Sequence, residues 1–407
     1  MKIRCPYCLN EFDNSKARLI CRNTLKKCTL EATDEFVSHW RISRDSPMAL
    51  RPHIYSGGFS LFGAPKLKAC PVCGDDIPDY VCPHCHNALP RDMVVNGTDI
   101  IPIIGGPGVG KTCYMVALVN QLKRYGWRVN LVSSLDSMYG DAAVKYEEMS
   151  NTLFKDKNVL DKTAVRNDSL NMPWFIKIEN KVKIKAKKPT YLIFYDIAGE
   201  QFASANMMLN QKPLQYASGA IVLLDTFDLP VVKDLLKSLG KRASDVHFSI
   251  EKTVEELFNV TGQKMSGTNA EILKGCPIAF AFSKADIITK YRDSLGCFDN
   301  TVMGNSLFIE NRRYSMPGTF GKNDFAAYIN EIDTISQSFE IALRECDQAE
   351  MLENNKWNKE DVRYFGVSSL GAEPQADGSL DVEKVIPYRV LDPLVWVLNR
   401  LGKIEIV

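Results

Sequence analysis

One short segment restricts the fold of this chain more than any other part of its sequence. Residues 105–112 are Gly-Gly-Pro-Gly-Val-Gly-Lys-Thr, between an apolar run at 100–104 and a helical pattern over 111–125. Glycines let a chain wrap closely around a ligand with its N–H groups pointing inward, and a helix N-terminus adds partial positive charge. A strand, such a loop and a helix in this order predict an α/β domain with a phosphate-binding loop.

Further apolar segments predict strands parallel to the first. Each is short and is followed by polar, charged or glycine residues, where parallel sheets place their ligand-binding loops. We therefore expect a mostly parallel sheet with helices on both faces, and inserted helices within residues 134–172, 226–276 and 287–360. The predicted strands are residues 128–132, 191–195, 220–224, 278–282 and 364–367.

Two other segments have recognisable patterns. Residues 176–187 alternate Ile or Val with Lys around Asn180, which predicts a two-stranded ribbon with one buried face. Residues 391–401 are strongly apolar with one basic residue. We expect a final helix that packs in the core rather than on a membrane.

Composition limits the classes of protein to consider. The chain has 407 residues, 45% hydrophobic and 24% charged, which is ordinary for a globular protein of two domains. A net charge of +1 excludes a whole-molecule field that would attract nucleic acid or an anionic membrane. With no secretory pattern at the N-terminus and no apolar run near about 20 residues, we expect a cytoplasmic protein without a membrane span.

The loop residues predict how phosphate and a metal would be bound. Lys111 is placed to bridge β and γ phosphate oxygens, and the Thr112 hydroxyl is a ligand for Mg²⁺. We include the neighbouring Cys113 in the nucleotide-binding set, with its thiol expected to be a core or surface group and not a nucleophile. The other loop residues in this set are Gly105, Gly106, Pro107, Gly108, Val109 and Gly110.

Two more strand ends bear candidate nucleotide-binding residues. Asp196 and Gly199, in the sequence DIAGE, follow the strand 191–195, where an Asp can hold Mg²⁺ through water and a Gly N–H can contact the γ-phosphate. In the sequence SKAD, Asp286 can accept two hydrogen bonds from guanine and the Lys284 stem can lie over the base. Adenine lacks that donor pair, so GTP is favoured over the alternative, ATP.

Residues Ser368, Ser369 and Leu370 follow the last predicted strand. They are placed to approach the guanine O6 through backbone or hydroxyl donors. Together, GGPGVGKT, DIAGE, SKAD and SSLG occur in the order of the four best-defined motifs of Ras-like P-loop GTPases of the translation-factor-related class. The chain resembles that family over about residues 98–405. The resemblance implies Mg²⁺-dependent binding of GTP or GDP, slow hydrolysis, and two switch segments that respond to the γ-phosphate.

The sequence departs from that family at three points. Glu200 followed by Gln201 stands where many members have the Gln that orients the attacking water, a departure that favours GTP binding with little turnover. Thr163 is our candidate for the Mg²⁺ ligand of the first switch, with Thr152 and Ser169 as alternatives. Ser283 replaces the usual Asn or Thr, which keeps a hydroxyl for the phosphate loop.

The N-terminal cysteines predict a metal-binding module over residues 1–92, ahead of the GTPase-like domain at 98–407. Eight of the twelve cysteines lie in the first 85 residues, and six form Cys-Pro-x-Cys pairs. The simplest partition gives two structural four-thiolate zinc sites. One would be Cys5, Cys8, Cys21 and Cys28, and the other Cys70, Cys73, Cys82 and Cys85.

Interleaved pairing of Cys5 and Cys8 with Cys82 and Cys85 is the alternative, as is substitution of His39, His84 or His86 for a cysteine. Such ribbons bind nucleic acid or dock proteins. Because the module has no dense basic run, we expect an adaptor that docks a protein, and nucleic acid is not favoured.

The start CPYC, the segment CPHCHNALP and the ending VLDPLVWVLNRLG resemble the bacterial double-GTPase family of predicted conflict and defence systems. That resemblance implies a second GTPase as protein partner and an antiviral defence or signalling role. Two hypotheses follow: a hydrolysing GTPase switch, or a GTP-sensing assembly module with little turnover.

Overall fold

The computed structural model describes residues 1–21, 29–31, 50–55, 64, 69–70, 74, 79–85, 87–97, 99–106, 108–135, 141–160, 174–180, 190–194, 212–240, 250–264, 271–298, 320–345, 357–371, 380 and 385–406. The chain divides into two compact units. The first comprises Met1–Asp99 with the short segments Arg166–Pro173 and Ala186–Tyr191. The second comprises Ile100–Val165, Trp174–Lys185 and Leu192–Val407.

The first unit is built from short antiparallel strands. Strands β1 and β2 form a ribbon, and the other five form a sheet of order β4-β5-β3-β6-β7. Its small core includes Leu19, Val81 and Met93, all buried. The strands are β1 (Lys2–Arg4), β2 (Glu11–Asp13), β3 (Arg18–Cys21), β4 (Thr29–Glu31), β5 (Leu50–Tyr55), β6 (Asp79–Val81) and β7 (Ala88–Leu89), and helix α1 (Arg91–Asn96) follows.

A four-stranded parallel sheet is the centre of the second unit, and three of the five further predicted strands, at 220–224, 278–282 and 364–367, belong to it. Its order is β14-β13-β12-β8, with parallel pairing throughout. Residues in β12 and β13 are buried along the whole strand, which is typical of a parallel sheet covered on both faces. The strands are β8 (Ile103–Gly105), β12 (Ala220–Asp225), β13 (Ile278–Ser283) and β14 (Val362–Gly366).

A second sheet in the described chain has the order β11-β10-β9. Its strands are β9 (Leu131–Leu135), β10 (Trp174–Asn180) and β11 (Thr190–Phe194), and β10 pairs with β9 in antiparallel fashion. Within the predicted ribbon 176–187, the structure pairs β10 with β9, a strand earlier in the chain, and places Leu135 opposite Ile176, 41 residues away. The ribbon's predicted second half lies outside the described residues.

Helices precede and follow the strands of the parallel sheet along the described chain. Helix α2 has the predicted bounds, and seven consecutive residues of the final helix α9, from Asp392 to Leu398, are buried, which confirms its packing in the core. The helices are α2 (Lys111–Tyr125), α3 (Asp141–Phe154), α4 (Lys212–Gln215), α5 (Pro230–Ser238), α6 (Ile250–Val260), α7 (Asp286–Lys290), α8 (Lys322–Glu345) and α9 (Asp392–Arg400).

The strand predicted at residues 128–132 is wrong in its position, because the strand in the structure is β9, at Leu131–Leu135. Residues Gly126–Val129 form a 3-10 turn, and Asn130 has a left-handed backbone with φ of 58°. Its N–H donates to the Trp127 carbonyl, which closes the turn. Asn tolerates this conformation better than most residues, so the turn ends at Asn130 and β9 begins one residue later.

Candidate functional site

The loop after β8 has the geometry that its glycines predict. A Cβ on Gly105 would lie 2.9 Å from the Leu223 carbonyl oxygen, so only glycine fits beside β12. Gly108 and Gly110 have φ of 75° and 83°, values that side-chain-bearing residues rarely adopt. Lys111 is buried, and its Nζ donates to the carbonyl oxygens of Gly105 at 2.8 Å and Gly106 at 2.9 Å. The lysine thus lies across the loop that it would share with phosphate.

The N-terminus of α2 continues this loop. Gly110 is its N-cap and offers no side-chain cap, so the first N–H groups of the helix face the loop. Thr112 and Cys113 are half-buried in the first turn. Burial raises the pKa of the Cys113 thiol, against the opposing effect of the Lys284 ammonium. The thiol is therefore protonated near neutral pH, which does not favour a nucleophilic role.

Lys284 connects the glycine-rich loop 105–112 to the loop after β13. It has a left-handed backbone with φ of 58°, and its Nζ donates to the Gly108 carbonyl at 2.9 Å. The same Nζ lies 2.6 Å from Oδ2 of Asp225, a carboxylate that is 2% exposed. Lys284 therefore joins two predicted binding loops directly.

Asp225 is a site residue that sequence reasoning missed. It ends β12, and its Oδ1 also accepts a hydrogen bond from the Phe227 N–H at 3.0 Å. A signal for it exists, because an acidic residue directly follows the buried run 220–224. Carboxyl ends of neighbouring parallel strands meet at one sheet edge, so Asp225 and Lys284 could have been paired.

Ser283 has a different contact from the predicted one. Its hydroxyl donates to the Leu224 carbonyl at 3.1 Å, and its own carbonyl accepts from the Thr226 hydroxyl at 2.5 Å. Ser283 therefore ties β13 to β12, and the contact to the phosphate loop comes from Lys284. Asp286, half-buried, is the first residue of α7 at the same edge of the sheet.

The segment after β14 lies beside this loop. The Ala285 N–H donates to the Val367 carbonyl at 3.0 Å. Ser368 is buried, its N–H donates to Tyr388 at 3.0 Å, and its hydroxyl accepts from the Gly371 N–H at 2.9 Å. Ser369 and Leu370 are half-buried. The three predicted segments that begin at Gly105, Ser283 and Ser368 thus follow three strands of one parallel sheet.

The residues proposed for the switches lie mostly outside the described part of the chain. Thr152, an alternative ligand, is described: it lies in α3, and its hydroxyl donates to the Glu148 carbonyl at 3.0 Å. A helical residue with its hydroxyl engaged in this way is not suited to a mobile switch. Outside the described residues are Pro107, Thr163, Ser169, Asp196, Gly199, Glu200 and Gln201.

The first unit contains a four-cysteine cluster. The Sγ atoms of Cys5 and Cys85 are 3.6 Å apart and those of Cys8 and Cys82 are 3.7 Å apart. All four sulfurs lie within 4.8 Å of one another, and all four residues are buried. The structure thus groups Cys5 and Cys8 with Cys82 and Cys85, as in the interleaved alternative and not as in the sequential partition. Antiparallel strands bring the two Cys-Pro-x-Cys turns together, which spacing along the chain does not predict.

The cluster fits a tetrahedral thiolate metal site. Zn–S bonds of about 2.3 Å place sulfurs at tetrahedral corners about 3.8 Å apart, close to the separations here. The His84 N–H donates to the Cys82 Sγ at 3.4 Å, and Asn87 Nδ2 donates to the Cys85 Sγ at 3.3 Å. Burial, followed by hydrogen bonds from the other three thiols, raises the pKa of Cys5 well above its ordinary value. A bound cation would reverse that shift by compensating the thiolates.

The other N-terminal cysteines are described only in part. Cys70 is buried, and its carbonyl accepts from the Gly74 N–H at 2.8 Å, as the Cys5 carbonyl accepts from the Leu9 N–H at 2.8 Å. Cys21 ends β3. Cys28 and Cys73 lie outside the described residues, as do His39 and His86.

One comparison with known proteins gives a distant sequence relative. The chain is 24% identical over 332 residues to a protein of Mycolicibacterium smegmatis provisionally named an ESX-1 scaffolding and assembly protein, SaeC. The match covers 79% of this chain and 80% of that protein. No family model matches the sequence.

Solved structures with some similarity include three nucleotide-bound GTPase or GTPase-like proteins. The Saccharomyces cerevisiae Ski7 GTPase-like domain with GDP and phosphate has a TM-score of 0.35 at 14% identity, covering 76% of this chain and 51% of that one. Elongation factor SelB of Methanococcus maripaludis has a TM-score of 0.24 at 10% identity, over 76% and 35%. The small GTPase Arl6 of Trypanosoma brucei has a TM-score of 0.27 at 10% sequence identity, and the match covers 76% of this chain and 99% of Arl6. The chain thus spans about half the length of the Ski7 chain.

Within the described residues, no helix combines the length and the apolarity that crossing a membrane requires.

Proposed function

We propose that this chain binds a guanine nucleotide with Mg²⁺ at the carboxyl edge of its parallel sheet. The observation that supports this best is the contact of Lys284 with both Gly108 and Asp225, at 2.9 and 2.6 Å. It holds the phosphate loop against the loop that bears Asp286. A glycine turn that merely capped a helix would need no such connection to a second strand end.

The residues present suit the parts of such a ligand. Lys111 would exchange the Gly105 and Gly106 carbonyls for phosphate oxygens, since an ammonium prefers a charged acceptor. Thr112 and Asp196 would hold Mg²⁺, and Asp286 would accept from the guanine N1–H and 2-amino groups. Because the Ser368 N–H is bonded to Tyr388, contact with the guanine O6 falls to Ser369 and Leu370.

Loss of the base-reading carboxylate tests this proposal. We expect Asp286→Ala to weaken GTP binding by about 10-fold to 100-fold, since two hydrogen bonds to a charged acceptor are lost, and to leave ATP binding unchanged. Equilibrium titration with labelled GTP and ATP in Mg²⁺ measures both. Asp293→Ala, an exposed carboxylate in the next turn, is the matched control. Equal affinities for GTP and ATP in the unmodified chain would exclude guanine recognition.

For turnover, the proposal is a slow GTPase switch in which Gly199 contacts the γ-phosphate and Glu200 or Gln201 orients water. The second candidate is a GTP-sensing assembly module with little hydrolysis. It is favoured by Glu200 in the usual Gln position and by the name of the relative SaeC, a scaffolding and assembly protein. Single-turnover phosphate release distinguishes them for the isolated chain: no release above the protein-free rate excludes hydrolysis by the chain alone and favours the assembly module. A partner's arginine could then supply activity.

Partner and location belong to the same proposal. The double-GTPase resemblance supports a protein partner, in the form of a second GTPase, and a role in bacterial defence or signalling. We place the protein in the cytoplasm, where its cysteines would stay reduced for metal binding.

For the first unit we propose about two structural zinc ions. Cys5, Cys8, Cys82 and Cys85 would hold one. Cys21, Cys28, Cys70 and Cys73 remain for the other, and the Cys70 turn has the same closing hydrogen bond as the Cys5 turn. Metal analysis of protein purified without chelator tests both sites, and a content of one zinc would remove the second.

A further inference from the structure

Arg389 is an unusual residue in the second unit. It is 2% exposed and has a left-handed backbone with φ of 49°. Its Nη1 donates to Asp392 Oδ2 at 2.8 Å, and its Nη2 pairs with Glu331 Oε1. Although burial disfavours its charge, Asp392 and Glu331 hold its pKa above the ordinary value. Desolvation of the ion pair and the left-handed backbone both lower the stability of the fold. An apolar side chain in the same core position would avoid the desolvation penalty.

The residues just before Arg389 support the segment proposed to contact guanine. Tyr388 and Ser368 exchange two backbone hydrogen bonds, at 3.0 and 2.7 Å. The Ile386 N–H donates to the Leu370 carbonyl at 3.0 Å. A Cβ on Gly371 would lie 2.2 Å from the Ile386 carbonyl oxygen. The position of residues 368–371 is therefore set by residues 386–388.

The residues just after Arg389 are fixed to two helices. The Tyr114 hydroxyl, on α2, donates to the Val390 carbonyl at 3.0 Å. The Tyr328 hydroxyl, on α8, donates to Asp392 Oδ1 at 2.7 Å, so both oxygens of Asp392 are engaged. Tyr114 lies three residues after Lys111 on the helix that begins at the phosphate loop. One short segment thus connects the phosphate-loop helix to the segment beside the base.

We infer that Arg389, held by Asp392 and Glu331, is a positioning residue that fixes residues 368–371 for recognition of the guanine O6. This rests on the proposed guanine site and adds a specificity determinant that does not itself touch the nucleotide. The Arg389 ion pairs fix residues 386–388, and the backbone hydrogen bonds of Ile386 and Tyr388 in turn fix residues 368–371.

The test compares two analogues that alter different edges of the base. 6-Thio-GTP replaces O6 by sulfur, a weaker acceptor, and ITP lacks the 2-amino group that Asp286 would bind. For Arg389→Lys and Glu331→Gln we expect the preference for GTP over 6-thio-GTP to fall by about five-fold, the effect of about one hydrogen bond. The preference for GTP over ITP should stay unchanged. Arg363→Lys, which alters a second ion pair on α8 at Asp333, is the matched control.

A further variant leaves the ion cluster intact. Gly371→Ala would push residues 368–371 away from Ile386, and we expect the same selective loss of O6 discrimination. The inference is overturned if these variants change thermal stability but leave both preferences unchanged, or if both preferences fall together. If the unmodified chain shows no GTP preference, the proposed function fails, and that outcome is visible before any variant is made.

Discussion

Removing Lys284 should destabilise the sheet edge more than neutralising its partner does. Asp225 is 2% exposed and Lys284 is 31% exposed, so the two charges differ in access to water. In Lys284→Met, a buried carboxylate loses its ammonium partner, which costs about 3 kcal/mol, the lower end for a broken buried pair because water reaches the lysine side. In Asp225→Asn, the amide oxygen still accepts from Phe227, and Lys284 can turn to solvent, for a cost of about 1 kcal/mol.

The asymmetry can be measured by hydrogen exchange of amides in β12 and β13. A cost of about 3 kcal/mol lowers their protection by about 150-fold, against about five-fold for Asp225→Asn. The double variant should return close to the Asp225→Asn value, because no buried charge remains. Amides of β6, in the other unit, serve as the internal control. Equal losses in the two single variants, or a double variant no better than Lys284→Met, would refute the reasoning.

Three further predictions concern other parts of the molecule. Gly105→Ala places a Cβ 2.9 Å from the Leu223 carbonyl, so we expect a loss of about 1–3 kcal/mol and of GTP affinity in titrations, whereas Gly296→Ala, in open space, should change neither. Cys8→Ser should lower the zinc content by about one ion per chain in metal analysis, while Cys276→Ser leaves it unchanged; an unaltered content contradicts the cluster. Tyr328→Phe leaves Asp392 Oδ1 without its hydroxyl donor, so amide protection in α9 should fall by about 1–3 kcal/mol, and unchanged protection would show that water replaces the hydroxyl.

Much of the second unit could be predicted because its signals are local. The bounds of α2 follow from a glycine loop and a helical period, and the buried runs at 220–224 and 278–282 become β12 and β13 with one residue added to each. The alignment of loops at one edge follows from parallel strands. At Asn130 a single turn determines where β9 begins, and the sequence pattern did not predict that start correctly.

The remaining features depend on contacts between residues far apart in the chain. Spacing alone does not distinguish Cys28 from Cys82 as a partner for Cys5, because the choice depends on how the antiparallel strands pair. Arg389 is 58 residues from Glu331, and its burial gives no pattern in the sequence. The Lys284–Asp225 pair was partly predictable from the sequence, because each residue lies at the end of a buried, mostly apolar run. What the sequence did not show is that the two strands are neighbours in the sheet.

We propose that one guanine nucleotide occupies the edge formed by the phosphate loop and Lys284. Calorimetric titration of the full chain with GTP and with ATP in Mg²⁺ tests it most directly. We predict one GTP per chain and an affinity for ATP at least about 10-fold weaker, the effect of an unpaired carboxylate at Asp286. Equal affinities for the two nucleotides, or no binding of either, would contradict the claim.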